Sequence, residues 1–325
     1  MIADRALYPV TTPDVHLAPL VQPEDRRILL SFLAGGSLSS RSLADRRFCD
    51  RVVEVNIDSR SALAAAPFLS SFRNLECVSL QKNLGSYAWM DELDKLVRVS
   101  VGENFKEWEK LAKSRPAFVG KRKPTEVDLS AWARMEGLRE VSLTQVDLEL
   151  LAGRDLGPSI IEVGLHDGRG DTVDLRSSSH VSRVRATYCA KLERVASRSL
   201  RQLFVQKCPK WGSAPQELPS LEWLVTSSCA SADVGQLVRT LPALRGIKMR
   251  GAKFKGEVKA LLLDRPNLRS FFVDGWRPAK SEGSELSLQL PGRLLANGLC
   301  GYENGRECRY TREILPKELN SLDPL

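Results

Sequence analysis

Histidine is nearly missing from this chain. His16, His166 and His180 are the only three in 325 residues, and none stands in an H-E-x-x-H or G-x-S-x-G context. The commonest general-base and metal-ligand patterns are therefore excluded. Aromatic residues are scarce at 6%, so an outward-facing ring carries more weight than usual. No apolar run reaches the roughly 20 residues that cross a bilayer, and the opening MIADRALYPVTTPDVHLAPLVQPEDRR lacks the charged-then-apolar form of a signal peptide. The expectation is a cytoplasmic protein that makes no membrane contact. The glycine-containing HDGRGD at 166–171 is not followed by a Lys-Ser or Lys-Thr helix start, which argues against a phosphate loop. His166 beside Asp167 reads as an ordinary hydrogen-bonded loop pair. The chain reads as non-enzymatic, with no cofactor and no metal site.

What is present is more telling. Seven cysteines form an odd set without a tight framework, which fits reduced thiols better than disulfides. A net charge of +8 admits nucleic acid or an acidic protein as partner without choosing between them. Three of the cysteines also fall in phase. SLRQLFVQKC carries Leu200, Leu203, Val205 and Cys208; SLEWLVTSSC carries Leu221, Leu224, Thr226 and Cys229; HVSRVRATYC carries Val181, Val184, Ala186 and Cys189.

The same pattern extends both ways, through Val52-Val55-Ile57, Leu75-Val78-Leu80, Leu96-Val99-Val101, Leu138-Val141-Leu143 and Ile160-Val163-Leu165, then Leu244-Ile247-Met249 and Leu268-Phe271-Val273. First positions recur every 19–24 residues, except for one double interval of 42 in which the register over 105–137 is indistinct. Pro158, Pro219, Pro242 and Pro266 each stand two residues before a first position, where a loop enters a strand and no ladder donor is lost. This resembles the leucine-rich-repeat superfamily, L-x-x-L-x-L-x-x-N/C-x-L, in its ribonuclease-inhibitor-like form with irregular repeats.

The resemblance implies an α/β leucine-rich-repeat solenoid: a right-handed horseshoe with a parallel β-sheet on the concave face and short helices on the convex face. Helices are expected over KEWEKLAKS from 106, ADVGQLVRT from 232 and GEVKALLLD from 256, where apolar residues recur at three and four. Residues 52–276 would be the repeats. Residues 1–51 would form an N-terminal helical cap, with helices over PEDRRILLSFLA and SRSLADRRFCD, and 277–325 a C-terminal cap. The ninth template position should turn inward, making Cys189, Cys208 and Cys229 a buried structural column. Capping disulfides are common in this family, but the absent signal peptide favours free thiols at Cys300 and Cys308.

Side chains alternate along a strand, so positions three, five, seven and eight should face outward on the concave side. Those columns make an acidic stretch of Glu126, Asp128, Glu140, Glu162 and Asp167. They then turn basic and aromatic through Arg183, Arg185, Tyr188, Phe204, Lys207, Trp223, Val225, Lys248, Arg250 and Phe272. Outward apolar residues in neighbouring repeats mark an interaction surface. The expected function is a non-catalytic module that grips a protein partner. By family resemblance, one concrete form is a dedicated inhibitor, such as an immunity protein that sequesters a cognate toxin or enzyme. An adaptor or substrate receptor would carry the same pattern, and the basic residues beside aromatic ones keep nucleic-acid binding open as an alternative.

Overall fold

The computed structural model describes residues 8–11, 28–32, 46–57, 68–80, 90, 92–101, 129–251, 265, 267–273, 295–296, 301–303 and 306–308. They belong to two compact units, Met1–Asp147 with Leu156–His166, and Leu148–Asp155 with Asp167–Leu325. In the first unit, strands β1 (Tyr8–Thr11), β2 (Ile28–Phe32), β3 (Val52–Ile57), β4 (Cys77–Leu80), β5 (Arg98–Val101), β6 (Glu140–Thr144) and β7 (Glu162–His166) pair in sequence order, every pair parallel. The second unit holds a short parallel pair, β8 (Thr172–Asp174) with β10 (Arg194–Ala196). Its larger sheet runs β9 (Arg183–Thr187), β11 (Gln202–Gln206), β12 (Trp223–Ser227), β13 (Gly246–Arg250), β14 (Ser270–Val273) and β15 (Leu295–Ala296), again all parallel.

The repeat template is confirmed residue by residue. Every first, fourth and sixth position named above, from Val52 to Val273, is at most 4% exposed. No single repeat can cover that apolar face, so stacking one on the next provides the burial, as in repeat solenoids generally. Tight turns lead into the strands. The Leu221 amide donates to the Leu218 carbonyl at 3.2 Å and Leu244 to Leu241 at 3.3 Å. Pro219 and Pro242 thus occupy the second turn position, which their fixed φ suits. In the Leu200 repeat a side chain takes over, since the Leu200 amide donates to Ser197 Oγ at 3.2 Å.

Two expectations about the elements need correction. The helix expected over PEDRRILLSFLA is instead strand β2, whose Leu30 and Phe32 lie in register with Val55 and Ile57. Its alternating Ile28, Leu30 and Phe32 fit a strand neighbour better than a helical stripe. The return segments are also not uniformly helical. Val181 to Leu200 is 19 residues and Leu200 to Leu221 is 21, and these repeats return through extended chain such as β10. Leu221 to Leu244 is 23 and returns through the helix Val234–Thr240, capped by Asp233, whose Oδ1 accepts from the Gln236 amide at 2.9 Å. A helix rises only about 1.5 Å per residue against about 3.3 Å in a strand, so the shorter repeats must stay extended to close their coil. The helices expected from 106 and 256 fall outside the described residues, as does Cys300. No described helix is long and apolar enough to cross a membrane.

The ninth positions turn inward as expected. Cys189, Cys208 and Cys229 are all fully buried free thiols. The Gly168 amide donates to Cys189 Sγ at 3.3 Å. The Cys208 thiol lies 3.3 Å from the Gln206 carbonyl and 3.7 Å from that of Ala186, and the Cys229 thiol 3.5 Å from Ser227 and 3.6 Å from Val205. Its hydrogen bond with Cys189, followed by burial, pushes the Cys208 thiol far up, and burial alone raises Cys229 to about 11. Thiols held protonated in this way are poor nucleophiles.

One inward position is mismatched. Thr226 occupies a sixth position, is fully buried, and its hydroxyl has no hydrogen-bond partner among the described residues. A stranded buried hydroxyl costs about 1–3 kcal/mol. Thr226→Val keeps the shape and removes the polar atom. It should raise unfolding stability by about 1 kcal/mol in a denaturant titration, whereas Thr226→Ala, which leaves a void, should lower it.

Candidate functional site

In the second unit the register places three outward rows side by side. The third-position row reads Arg183, Gln202, Trp223, Gly246, Ser270 and the fifth-position row Arg185, Phe204, Val225, Lys248, Phe272. The seventh-position row reads Thr187, Gln206, Ser227, Arg250. Arg183, Arg185, Lys248 and Arg250 are the charged residues among the described positions of these rows, which stop short of Asp274, the seventh position of the Leu268 repeat.

The eighth position is not an ordinary outward site. Gln145, Asp167, Tyr188, Lys207 and Ser228 all adopt positive φ, between 51° and 58°, as does Gly251 at 69°. These residues form the turn that ends β6, β7, β9, β11, β12 and β13, which period-two alternation does not reveal. Lys207 and Tyr188 still meet there. The ammonium sits 4.4 Å from the tyrosine ring centroid and donates to its hydroxyl, a cation–π contact worth about 0.5–1 kcal/mol at an exposed site. Gln202, also unnoticed in the sequence, orients Arg183 by accepting from its Nε at 2.8 Å.

Three of the expected contact residues do not face solvent. Phe204 and Val225 are 2% exposed and Lys248 is 5% exposed. Phe204 and Val225 are direct neighbours in register, and Trp223 packs against the pair. Parallel strands stand only about 4.8 Å apart, so bulky side chains on adjacent strands close over one another. An outward position on this sheet is therefore not equivalent to an exposed one. Arg183, Arg185, Tyr188, Trp223 and Phe272 are half-buried, while Lys207 and Arg250 are exposed. These seven, and not the full expected set, are the residues a partner can touch.

The acidic residues are arranged differently. In the first unit the third-position row is Glu54, Cys77, Arg98, Glu140, Glu162. Arg98 donates through Nε to Glu140 Oε2 at 2.8 Å and its Nη2 lies 2.7 Å from the same oxygen. Glu162 is only 8% exposed. Beside this row run the small residues Asn56, Ser79, Ser100, Ser142 and Gly164. Burial raises the Glu54 carboxyl above its ordinary value against the opposing pull of Arg98, and burial pushes the Cys77 thiol up to about 11. Asp167 belongs to the second unit, as one of the positive-φ turn residues. Glu126 and Asp128 lie outside the described residues.

No family model matches the chain, and no curated protein matches it. Among solved structures, the chain is similar to an internalin from Listeria monocytogenes, at 11% identity and a TM-score of 0.36, over 86% of this chain and 76% of that one. It is also similar to an LRR protein from Leptospira interrogans, at 11% identity and a TM-score of 0.27, over 84% of this chain and 90% of that one. The fold assignment rests on strand register and on the buried template positions, not on these two likenesses.

The raised Glu54 carboxyl gives a pH-dependent expectation. Its folded-state pKa lies above the unfolded value, so its contribution to stability is present below the unfolded pKa and is lost as pH rises through the folded one. Glu54→Gln removes the buried charge. The variant should melt higher than the parent at pH 7 and alongside it near pH 4; a pH series of thermal melts checks both arms.

Proposed function

We propose that this protein is a non-catalytic binding module that engages a protein partner through the sheet face of strands β9 and β11–β14. The observation that carries the reading is the face itself: a half-buried Trp223 seated on the packed Phe204–Val225 pair, with basic residues on the strands around it and no acidic residue among the described positions of its rows. Half-buried aromatics with a packed backing are what binding anchors are made of, because little side-chain freedom remains to be lost on association. Arginines at the rim mainly steer the encounter and set its orientation. A dedicated inhibitor of a toxin or enzyme is one form such a module takes. It would be recognised by loss of the partner's activity in stoichiometric complex.

The test is capture of a protein from nuclease-treated native lysate by the parent and by two variants, each paired with a thermal melt. Arg183→Glu combined with Arg185→Glu should cut capture by about ten-fold or more and cost about 1 kcal/mol of stability through loss of the Arg183–Gln202 hydrogen bond, too little to unfold the protein. Trp223→Ala should cut capture too, while costing about 1–2 kcal/mol of stability because half its ring is packed. Capture unaffected by either variant would overturn the reading. Capture abolished by the nuclease would replace it with nucleic-acid binding.

A further inference from the structure

The same face carries a narrower inference, which rests on its being a protein-binding surface. We infer that it takes an acidic segment bearing an aromatic or large apolar residue between its acidic side chains.

Arg183 and Arg185 lie on β9, Arg250 lies at the end of β13, and Trp223 lies on β12 between them. From β9 to β13 there are three strand steps, through β11 and β12, or about 14 Å at roughly 4.8 Å each. Arg250 stands two residues further along its strand than Arg185, about 7 Å, so the two are about 16 Å apart. Acidic groups that meet both must therefore stand about five residues apart in an extended segment rising about 3.3 Å per residue. Between them the segment crosses β12, where Val225 is buried and the indole of Trp223 is the accessible apolar group, with Gln202 on one side and Gly246, which brings no side chain, on the other. Gln202 holds Arg183 from behind, and Lys207 adds positive charge beyond the strand ends. Lys248 is too buried to take part.

The rings decide between this occupant and single-stranded nucleic acid. Strand-binding proteins use aromatic platforms in series, one base after another. Here Phe204 is buried and the Tyr188 ring already carries Lys207. The remaining accessible rings, Trp223 and Phe272, lie on β12 and β14 with β13 between them, strands about 10 Å apart, and do not form a continuous series. Trp223 alone has cations on strands to either side, which matches one apolar residue flanked by anions.

The experiment uses the whole protein and three labelled probes in fluorescence anisotropy: a random copolymer of glutamate and tyrosine, polyglutamate, and an oligothymidylate. The copolymer should bind about ten-fold tighter than polyglutamate. Trp223→Ala should erase that preference and keep the weaker polyglutamate binding, which also shows that the variant is folded. Arg183→Glu with Arg185→Glu should weaken both polymers. A copolymer that binds no better than polyglutamate, a preference that survives Trp223→Ala, or an oligothymidylate that outcompetes the copolymer would each overturn the inference. If the copolymer fails while the arginine-pair variant still loses its captured protein, only the acidic-aromatic assignment falls. If both fail, the binding reading of the face falls with it.

Discussion

One backbone conformation, repeated at the ends of β6, β7, β9, β11, β12 and β13, governs much of what this protein displays. The residue after the seventh template position enters the left-handed region, at Gln145 in the first unit and at Asp167, Tyr188, Lys207 and Ser228 in the second. None of these is glycine, and for other residues this region costs about 1–2 kcal/mol. The structure offsets the cost with a hydrogen bond. Each left-handed amide donates to the last carbonyl of the next strand: Gln145 to His166, Tyr188 to Gln206, Lys207 to Ser227 and Ser228 to Arg250, all at 2.8–2.9 Å. The turn that ends one strand thus also fixes its distance to the next.

The other features follow from that turn. It swings the next residue inward, where Gly168, Cys189, Cys208 and Cys229 fill a column. A side chain at Gly168 would put its Cβ 2.5 Å from Leu148 Cδ2, so the column takes small residues. It also stops the strands at equal lengths, which brings Arg183, Gln202 and Trp223 into one row and Arg185, Phe204 and Val225 into the next. The face is consequently a product of the register, and its charge follows from which residues happen to hold positions three, five and seven.

The buried half of this structure was legible in the sequence because burial enforces it. Stacking of the repeats calls for apolar first, fourth and sixth positions, and all of those named except Thr226 are apolar; the prolines and cysteines marked the same register independently. The outward half was less legible. Period two predicts direction but not exposure, so Phe204, Val225 and Lys248 looked like contact residues although their neighbours enclose them. The left-handed turn left almost no sequence signal, because its positions hold Gln, Asp, Tyr, Lys and Ser where conformational preference alone would favour glycine. The strand Ile28–Phe32 was hidden for a third reason. Its short apolar cluster, broken only by Ser31, carries both an alternation and a helical spacing, and the pairing with Val52–Ile57 decides for the strand.

Amide hydrogen exchange, read residue by residue in the native protein, tests the governing constraint most directly. If the turn ties the repeats together as described, the amides of Tyr188, Lys207 and Ser228 should exchange as slowly as those in the middle of β11 and β12, although they lie beyond the strand ends. Exchange of these three at the rate of open loops, with the strand amides still protected, would contradict the account.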